Sequence, residues 1–151
     1  RSPGVVGAAI NSGAYAGIIC DGFHVADEMV GLAIRARLVP DRMFLVSDAM
    51  PTVGGSDRFD LYGQEVRLVE GRLLNAEGSL AGAHVTMAQS VARLVNVLGI
   101  DLAAALRMAV TVPAGIIGRP ELAQVSGRDA ADLLVLDQGL MVTGTCAELI
   151  D

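Results

Sequence analysis

Several residue types that support particular chemistries are scarce or missing in this sequence. Lysine is absent, so all eleven basic residues are arginine, which excludes a phosphate-loop lysine and a Schiff-base lysine from this segment. The two cysteines, Cys20 and Cys146, are too few and too far apart for a disulfide framework. We therefore expect a reducing, cytoplasmic environment.

Clustered positive charge and long apolar runs are also lacking. The net charge is −6 and no group of arginines stands out along the chain, which argues against a nucleic-acid surface. No apolar run approaches the roughly 18 residues that a membrane span needs. The opening letters RSPGVVGAAI contain no initiator methionine and no secretory leader, so we expect a non-secreted piece of a longer chain.

What is present is a packed chain with a strand–helix–strand pattern. Hydrophobic residues make up 52% of the 151 residues, enough for one domain with a real core. Residues 14–26, AYAGIICDGFHVA, predict a buried strand and its exit turn, and DEMVGLAIRAR predicts a helix capped by Asp27. Pro40 ends the helix before a second apolar strand, MFLVSD. A crossover of this length favours a parallel pair.

Polar residues follow both predicted strands. Cys20, Asp21 and His24 come just after the first strand, and Asp48 comes just after the second. Ligands of parallel α/β folds lie beyond the carboxyl ends of the strands, so these residues are candidates for a functional site. A strand end is equally a common place for an aspartate that is only solvated.

The second half of the chain predicts a hairpin, two helices and a last strand. EVRLVEGRLLN is typical of two strands about a Glu70-Gly71 turn. Thr86 and Gln89 have the spacing of a capping box at the start of a helix. Asp101 is a candidate cap of the next helix, which we expect to stop before Pro113. The letters DAADLLVLD predict a final strand.

Six strings occur in an order that resembles one known family. Together they resemble the carboxyl-terminal part of the N-acetylglucosamine-6-phosphate deacetylase family, within the amidohydrolase superfamily. The strings are RSPG, GIICDGFHV, FLVSDAMPTVG, GSLAGAHVTMAQSVARLV, ALRMAVTVPAGIIG and GRDAADLLVLD. The resemblance covers essentially the whole chain. It implies an α/β fold, namely the C-terminal part of a metal-dependent (β/α)8 barrel with strands of a small β-sandwich. Residues 1–125 would belong to the barrel, with a β-hairpin insertion near 59–76, and residues 126–151 would return to the sandwich.

The resemblance also implies a reaction, a cofactor and an assembly. The expected reaction hydrolyses the acetamide of a phosphorylated amino sugar, N-acetylglucosamine 6-phosphate, in a homodimer that uses a divalent metal, zinc or iron. The metal ligands of the family lie upstream of residue 1, so no metal ligand is expected in this chain. In agreement, the only histidines, His24 and His84, are 60 residues apart. The isolated chain is expected to be inactive.

Six residues match functional positions of the family. Asp48 matches the catalytic aspartate, although an aspartate satisfied by the following turn is the alternative. His24 matches a substrate-binding histidine, with a histidine tied to loop backbone as its alternative. Arg1 matches the arginine that grips the sugar phosphate, and in some relatives both basic residues reach the phosphate across a dimer interface. Leu80, Ala81 and Gly82 match a loop whose backbone contacts the substrate.

Several neighbouring residues are expected to have structural roles. Ala81 stands where the family often has serine, and its methyl side chain cannot make the hydrogen bond of a serine hydroxyl. We expect His84 to be a surface residue at a helix start, Asp21 to order its own loop and Cys20 to pack as a small buried hydrophobe.

Two other functions stay open. One is deacetylation of another sugar phosphate, such as N-acetylgalactosamine 6-phosphate. The other is a non-catalytic sugar-phosphate-binding remnant.

Overall fold

The computed structural model describes residues 2–150, and it combines helices and strands as in an α/β protein. Arg1 therefore lies outside the described residues. The α-helices are α1 Gly4–Ile10, α2 Asp27–Ala36, α3 Met87–Asn96, α4 Leu102–Leu106 and α5 Val112–Ile116. The strands are β1 Ala16–Ile18, β2 Met43–Leu45, β3 Arg58–Leu61, β4 Gln64–Val69, β5 Arg72–Leu74, β6 Leu134–Leu136 and β7 Val142–Thr145. A π-helix spans Arg107–Thr111, and 3-10 turns span Pro120–Ala123, Ala130–Asp132 and Ala147–Leu149.

The first two strands form the parallel pair that the sequence predicts. Ala16 lies opposite Met43 and Ile18 opposite Leu45, and the pairing continues with a 3.0 Å hydrogen bond from the Val46 N–H to the Ile18 carbonyl. Helix α2 makes the connection between the two strands. The carboxyl ends of β1 and β2 therefore lie side by side, at the edge where such folds bind ligands.

The start of α2 differs from the prediction that Asp27 caps it. Ala26 occupies the cap position without a side-chain hydrogen bond, and Asp27 is the first helical residue. Its carboxylate instead accepts two hydrogen bonds from Arg93 of α3, at 2.7 and 2.6 Å. A tertiary partner 66 residues away thus replaces the local backbone bond that the sequence pattern favours.

The middle of the chain folds into a three-stranded antiparallel sheet in the order β3-β4-β5. The predicted hairpin about Glu70 and Gly71 is confirmed, and both residues have positive φ angles, 49° and 81°. That pair of left-handed conformations suits a tight hairpin between twisted strands. Strand β3 was not predicted; it joins β4 through a second turn of the same kind at Tyr62 and Gly63.

The helix caps of the second half are confirmed, but the predicted stop before Pro113 is wrong. Thr86 and Gln89 form both bonds of the capping box, and the Asp101 carboxylate accepts the Ala104 N–H. The helix then continues through Pro113 by way of the π-helix, in which the Val112 N–H donates to the carbonyl five residues back. The wider turn accommodates a proline, which lacks an N–H and crowds the preceding turn of an α-helix.

The core lies where α2 and α3 pack against the parallel strands. Its fully buried members include Val30 of α2, Leu45 of β2 and Leu94 of α3. Farther along the chain, β6 and β7 pair antiparallel with a register irregularity at residues 135–136. Among residues 2–150, no helix combines the length and apolar character needed to cross a membrane.

Candidate functional site

The end of β2 turns sharply and places Asp48 at the surface. Asp48 is exposed, and its backbone has a positive φ of 51°. Its carbonyl accepts a 2.9 Å hydrogen bond from the Ala83 N–H, and the Met50 N–H donates to the Ala83 carbonyl at 3.1 Å. The backbone around Asp48 is therefore fixed by the segment at residues 80–84, whereas the Asp48 carboxylate remains accessible to a ligand.

The predicted loop Leu80–Gly82 lies next to this strand end. The Ala81 N–H donates to the Leu73 carbonyl at 3.0 Å, which holds one side of the loop against β5. The Ala83 bonds hold the other side against the segment after β2. The structure thus brings Asp48 together with the residues that the sequence predicts as a backbone contact surface.

Gly82 occupies a position that requires glycine for two reasons. Its φ is +83°, and a Cβ added there would overlap the Cγ of Met50 and lie 2.5 Å from its Cε. Gly78 has nearly the same φ, +79°, but an added Cβ would meet no atom within 4 Å. Comparing alanine substitutions at these two glycines therefore separates the cost of backbone strain from the cost of steric overlap.

We expect Gly82→Ala to destabilise the protein by about 1–3 kcal/mol more than Gly78→Ala, which is a typical penalty for forcing extra atoms into a packed site. Both variants carry the similar cost of a left-handed alanine, so the difference reports the overlap with Met50. Denaturant unfolding of the two variants measures it. Equal midpoints would mean that Met50 moves aside freely.

The loop after β1 orients His24 through Asp21. One carboxylate oxygen of Asp21 accepts the backbone N–H groups of Phe23 and His24, at 2.9 and 3.0 Å. The other oxygen is 2.7 Å from Nδ1 of His24. The prediction that Asp21 orders its own loop is confirmed. Because Nδ1 faces Asp21, Nε2 is the ring nitrogen left to meet a ligand.

Opposing effects act on the acidity of Asp21. Burial disfavours the charged carboxylate, but hydrogen bonds from the His24 and Phe23 N–H groups and from the His24 ring outweigh it, so the pKa of Asp21 is lowered. Asp21 is therefore an anion near neutral pH. An anion at Nδ1 favours a fixed ring orientation, as in other carboxylate–histidine pairs.

Cys20 is fully buried beside this loop, as the sequence predicts. Burial raises the pKa of its thiol to about 11, with a further contribution from the negative charge of Asp27. The thiolate is the reactive form of cysteine, so Cys20 is not a nucleophile at neutral pH.

A cleft of about 310 Å³ opens between the β1 loop, the β4–β5 turn and the start of α3. It is lined by Cys20, Asp21, Phe23, Gly71, His84, Val85, Gln89 and Arg93. His84 lies just before α3, as predicted, but its ring is partly buried and its Nδ1 is 3.0 Å from the buried Thr52 hydroxyl. His84 therefore adds a second imidazole beside the loop that carries His24.

A separate groove of about 370 Å³ lies between α3, the π-helix and β6. Its lining is mostly aliphatic, including Val91, Leu106 and Leu134. It has no convergent set of polar groups of the kind that orients a polar ligand. The polar candidate residues Asp21, His24 and Asp48 lie after the strand ends instead.

A divalent cation of the kind implied by the family does not find a complete set of ligands here. Throughout residues 2–150, His, Cys, Asp and Glu side chains form no group of three or more that could hold a metal. Asp48 is an exposed carboxylate outside any such group. The described residues alone therefore do not fit a metal centre, because a catalytic zinc requires three protein ligands.

Comparisons with known proteins cover almost the whole chain. No protein-family model matches it. An N-acetylglucosamine-6-phosphate deacetylase of Haemophilus influenzae is 34% identical over 149 residues, which cover 96% of this chain and 39% of the relative. An Escherichia coli K12 protein, provisionally named an N-acetylgalactosamine-6-phosphate deacetylase, is 33% identical over 145 residues, covering 94% of this chain and 86% of the relative.

A solved structure supports the same relationship. The crystal structure of N-acetylglucosamine-6-phosphate deacetylase from Pasteurella multocida matches with a TM-score of 0.83 and 35% identity, over 93% of this chain and 37% of the other. The chain thus spans about two fifths of the length of the Haemophilus relative and of this structure. It covers most of the Escherichia relative, 86% of that protein's length.

Proposed function

Because the chain belongs to the N-acetylglucosamine-6-phosphate deacetylase family, we propose that the protein that carries it hydrolyses the acetamide of N-acetylglucosamine 6-phosphate. The products are glucosamine 6-phosphate and acetate. The observation that carries the proposal is the placement of Asp48 beside the Leu80–Gly82 loop, at the carboxyl edge of the parallel pair. Sequence likeness over nearly the whole chain supports the substrate class.

In this proposal the chain is the carboxyl-terminal part of a (β/α)8 barrel with a small β-sandwich. Residues 1–125 belong to the barrel, with the three-stranded sheet as an insertion, and residues 126–151 belong to the sandwich. The parallel pairing of β1 with β2 and the antiparallel pairing of β6 with β7 support that division. The complete protein is proposed to be a cytoplasmic homodimer.

Asp48 is proposed to carry the proton that the reaction must move. Amide hydrolysis needs a base to take a proton from the attacking water and an acid to protonate the departing nitrogen. One carboxylate does both in sequence: as an anion it accepts the water proton, and as an acid it delivers that proton to the amine. The exposed side chain of Asp48, on a backbone fixed by Ala83, suits a group that must meet water and substrate.

The other matched residues are proposed to hold the sugar phosphate. His24 presents Nε2 to the substrate while Asp21 holds Nδ1. Arg1, outside the described residues, is proposed to bind the phosphate through its guanidinium, which forms paired hydrogen bonds to such anions. Leu80, Ala81 and Gly82 provide backbone groups that a sugar can approach closely. Together these groups would orient the acetamide towards Asp48.

The proposed cofactor is a divalent cation, zinc or iron, held by residues of the full-length protein that precede this chain. When bound, such an ion polarises a carbonyl and lowers the pKa of bound water. The residues of this chain act beside it through hydrogen bonds and proton transfer. Metal content measured on the full-length protein, with one or two ions per chain expected, tests this part of the proposal.

The substrate is tested by comparing two sugar phosphates. The full-length protein, with its metal, is assayed for acetate release from N-acetylglucosamine 6-phosphate and N-acetylgalactosamine 6-phosphate. We expect the higher kcat/KM for the first. Preference for the second would assign the protein to the reaction named for the Escherichia relative. Release from neither, together with calorimetric binding of glucosamine 6-phosphate, would identify a sugar-phosphate-binding protein without catalysis.

A further inference from the structure

Arg93 of α3 is fixed in place by its partner on α2. Its Nε donates to one oxygen of Asp27 at 2.7 Å and its Nη2 donates to the other at 2.6 Å. The two side chains are only 34% and 24% exposed, so the pair is better shielded from water than the other arginine–carboxylate pairs of the described chain. A paired geometry of this kind holds the plane of the guanidinium as well as its position.

The same guanidinium lies directly against the loop that carries His24. A Cβ added at Gly22 would overlap Nη2 and Cζ of Arg93 and lie 2.9 Å from its Nε. Gly22 stands between Asp21 and Phe23, in the turn whose N–H groups bind the Asp21 carboxylate. The guanidinium thus packs against the backbone of the turn, and that turn sets the orientation of the His24 ring.

We propose that Arg93 is a positioning residue for the proposed sugar-phosphate site: held by Asp27, it supports the Gly22 turn and thereby keeps the Asp21–His24 pair in its binding orientation. This inference rests on the proposed function for its effect on substrate. Arg93 itself does not touch the reacting atoms. Its contribution reaches the substrate through the loop Cys20–His24.

The chain offers a matched control in a second ion pair. Arg107 binds Asp41 at 3.2 Å, also across 66 residues, but both side chains are about half exposed and the pair lies away from the His24 loop. Arg93→Met and Arg107→Met remove the same charge and replace it with the same side chain. Only Arg93→Met removes support from the Gly22 turn.

The first measurement compares steady-state kinetics of the full-length metal-loaded protein. We expect Arg93→Met to raise KM for the sugar phosphate about tenfold with little change in kcat, and Arg107→Met to leave both unchanged. In a His24→Ala background, Arg93→Met should have no further effect on KM, because the two residues act through one contact. Equal KM values for the two methionine variants, or effects that multiply with His24→Ala, would overturn the inference.

The second measurement does not depend on activity. Hydrogen exchange followed by mass spectrometry reports the amides of residues 20–25, which we expect to exchange faster in Arg93→Met than in Arg107→Met. Arg93→Lys keeps the charge and one hydrogen bond, so it should give an intermediate rate and serves if the methionine variant does not fold. Unchanged exchange in the Arg93 variants would refute the positioning role, whereas a wild-type protein without turnover would refute only the proposed function.

Discussion

Asp48→Asn in the full-length protein is expected to lower kcat by about 100- to 10,000-fold while metal content and fold are retained. That range is the usual contribution of a positioned general acid–base. Asparagine keeps the size and hydrogen-bonding capacity of the side chain but cannot accept and return a proton. It also tolerates the left-handed backbone at φ 51°, which most residues adopt only at a cost.

The same backbone angle determines which control is informative. Asp48→Ala would combine loss of the carboxylate with backbone strain of about 1–2 kcal/mol, so its loss of activity would have two causes. Asp41 is exposed and has a φ of 57°, so Asp41→Asn makes the same chemical change on a similar backbone away from the site, although it also removes the exposed ion pair with Arg107. We expect Asp41→Asn to retain turnover. Turnover retained by Asp48→Asn would remove Asp48 as the proton carrier.

Leu94→Ala should be among the most destabilising single substitutions in the chain, at about 2–5 kcal/mol. Leu94 is fully buried in the cluster formed by α2, α3 and the parallel strands. Truncation there loses the burial of the side chain and leaves a cavity that the tightly packed neighbours fill only in part. Because the cluster includes Cys20, with Val25 packed against it, the loss also weakens the packing under the loop that carries His24.

Leu32→Ala provides the matched comparison for Leu94. Both leucines lie within ten-residue helices, but Leu32 of α2 is 49% exposed. Chemical unfolding of both variants gives the difference in their free energies of unfolding. We expect Leu32→Ala to cost under about 1 kcal/mol, because surface truncations away from special contacts have small effects. A similar cost for both would contradict the assignment of Leu94 to the core.

Local patterns predicted the parts of the fold that depend on neighbours in sequence. The capping box at Thr86 and Gln89 and the turn at Glu70 are set by residues within a few positions of one another, and both are confirmed. Asp27 was misassigned because its partner, Arg93, comes from another helix. Pro113 predicts a stop because proline normally disrupts an α-helix, and the π-helix that accommodates it has no sequence signal of its own.

In the candidate site, too, local sequence predicts some features, whereas contacts between distant segments set the others. The sequence places Asp48 and His24 after neighbouring strands, and the parallel pairing confirms that these strand ends are adjacent. The contact of residues 48–50 with Ala83 joins segments more than 30 residues apart, and no local pattern marks it. The bond between Thr52 and His84 is of the same kind. His84 itself, two positions after Gly82, is the one local signal, and the sequence does not show that its ring is partly buried against Thr52.

The π-helix at Arg107–Thr111 has a consequence for how this protein can change in length. Adding or removing one residue in a regular helix rotates everything after it by about 100°, the angle between successive residues of an α-helix. Val112 and Ala114 follow the π-helix, and both are buried. A one-residue deletion within this turn would restore a regular α-helix and leave the following segment facing the same way, because the π-helix holds the one extra residue. The same deletion in the regular part of the helix would turn Val112 and Ala114 about 100° out of the core.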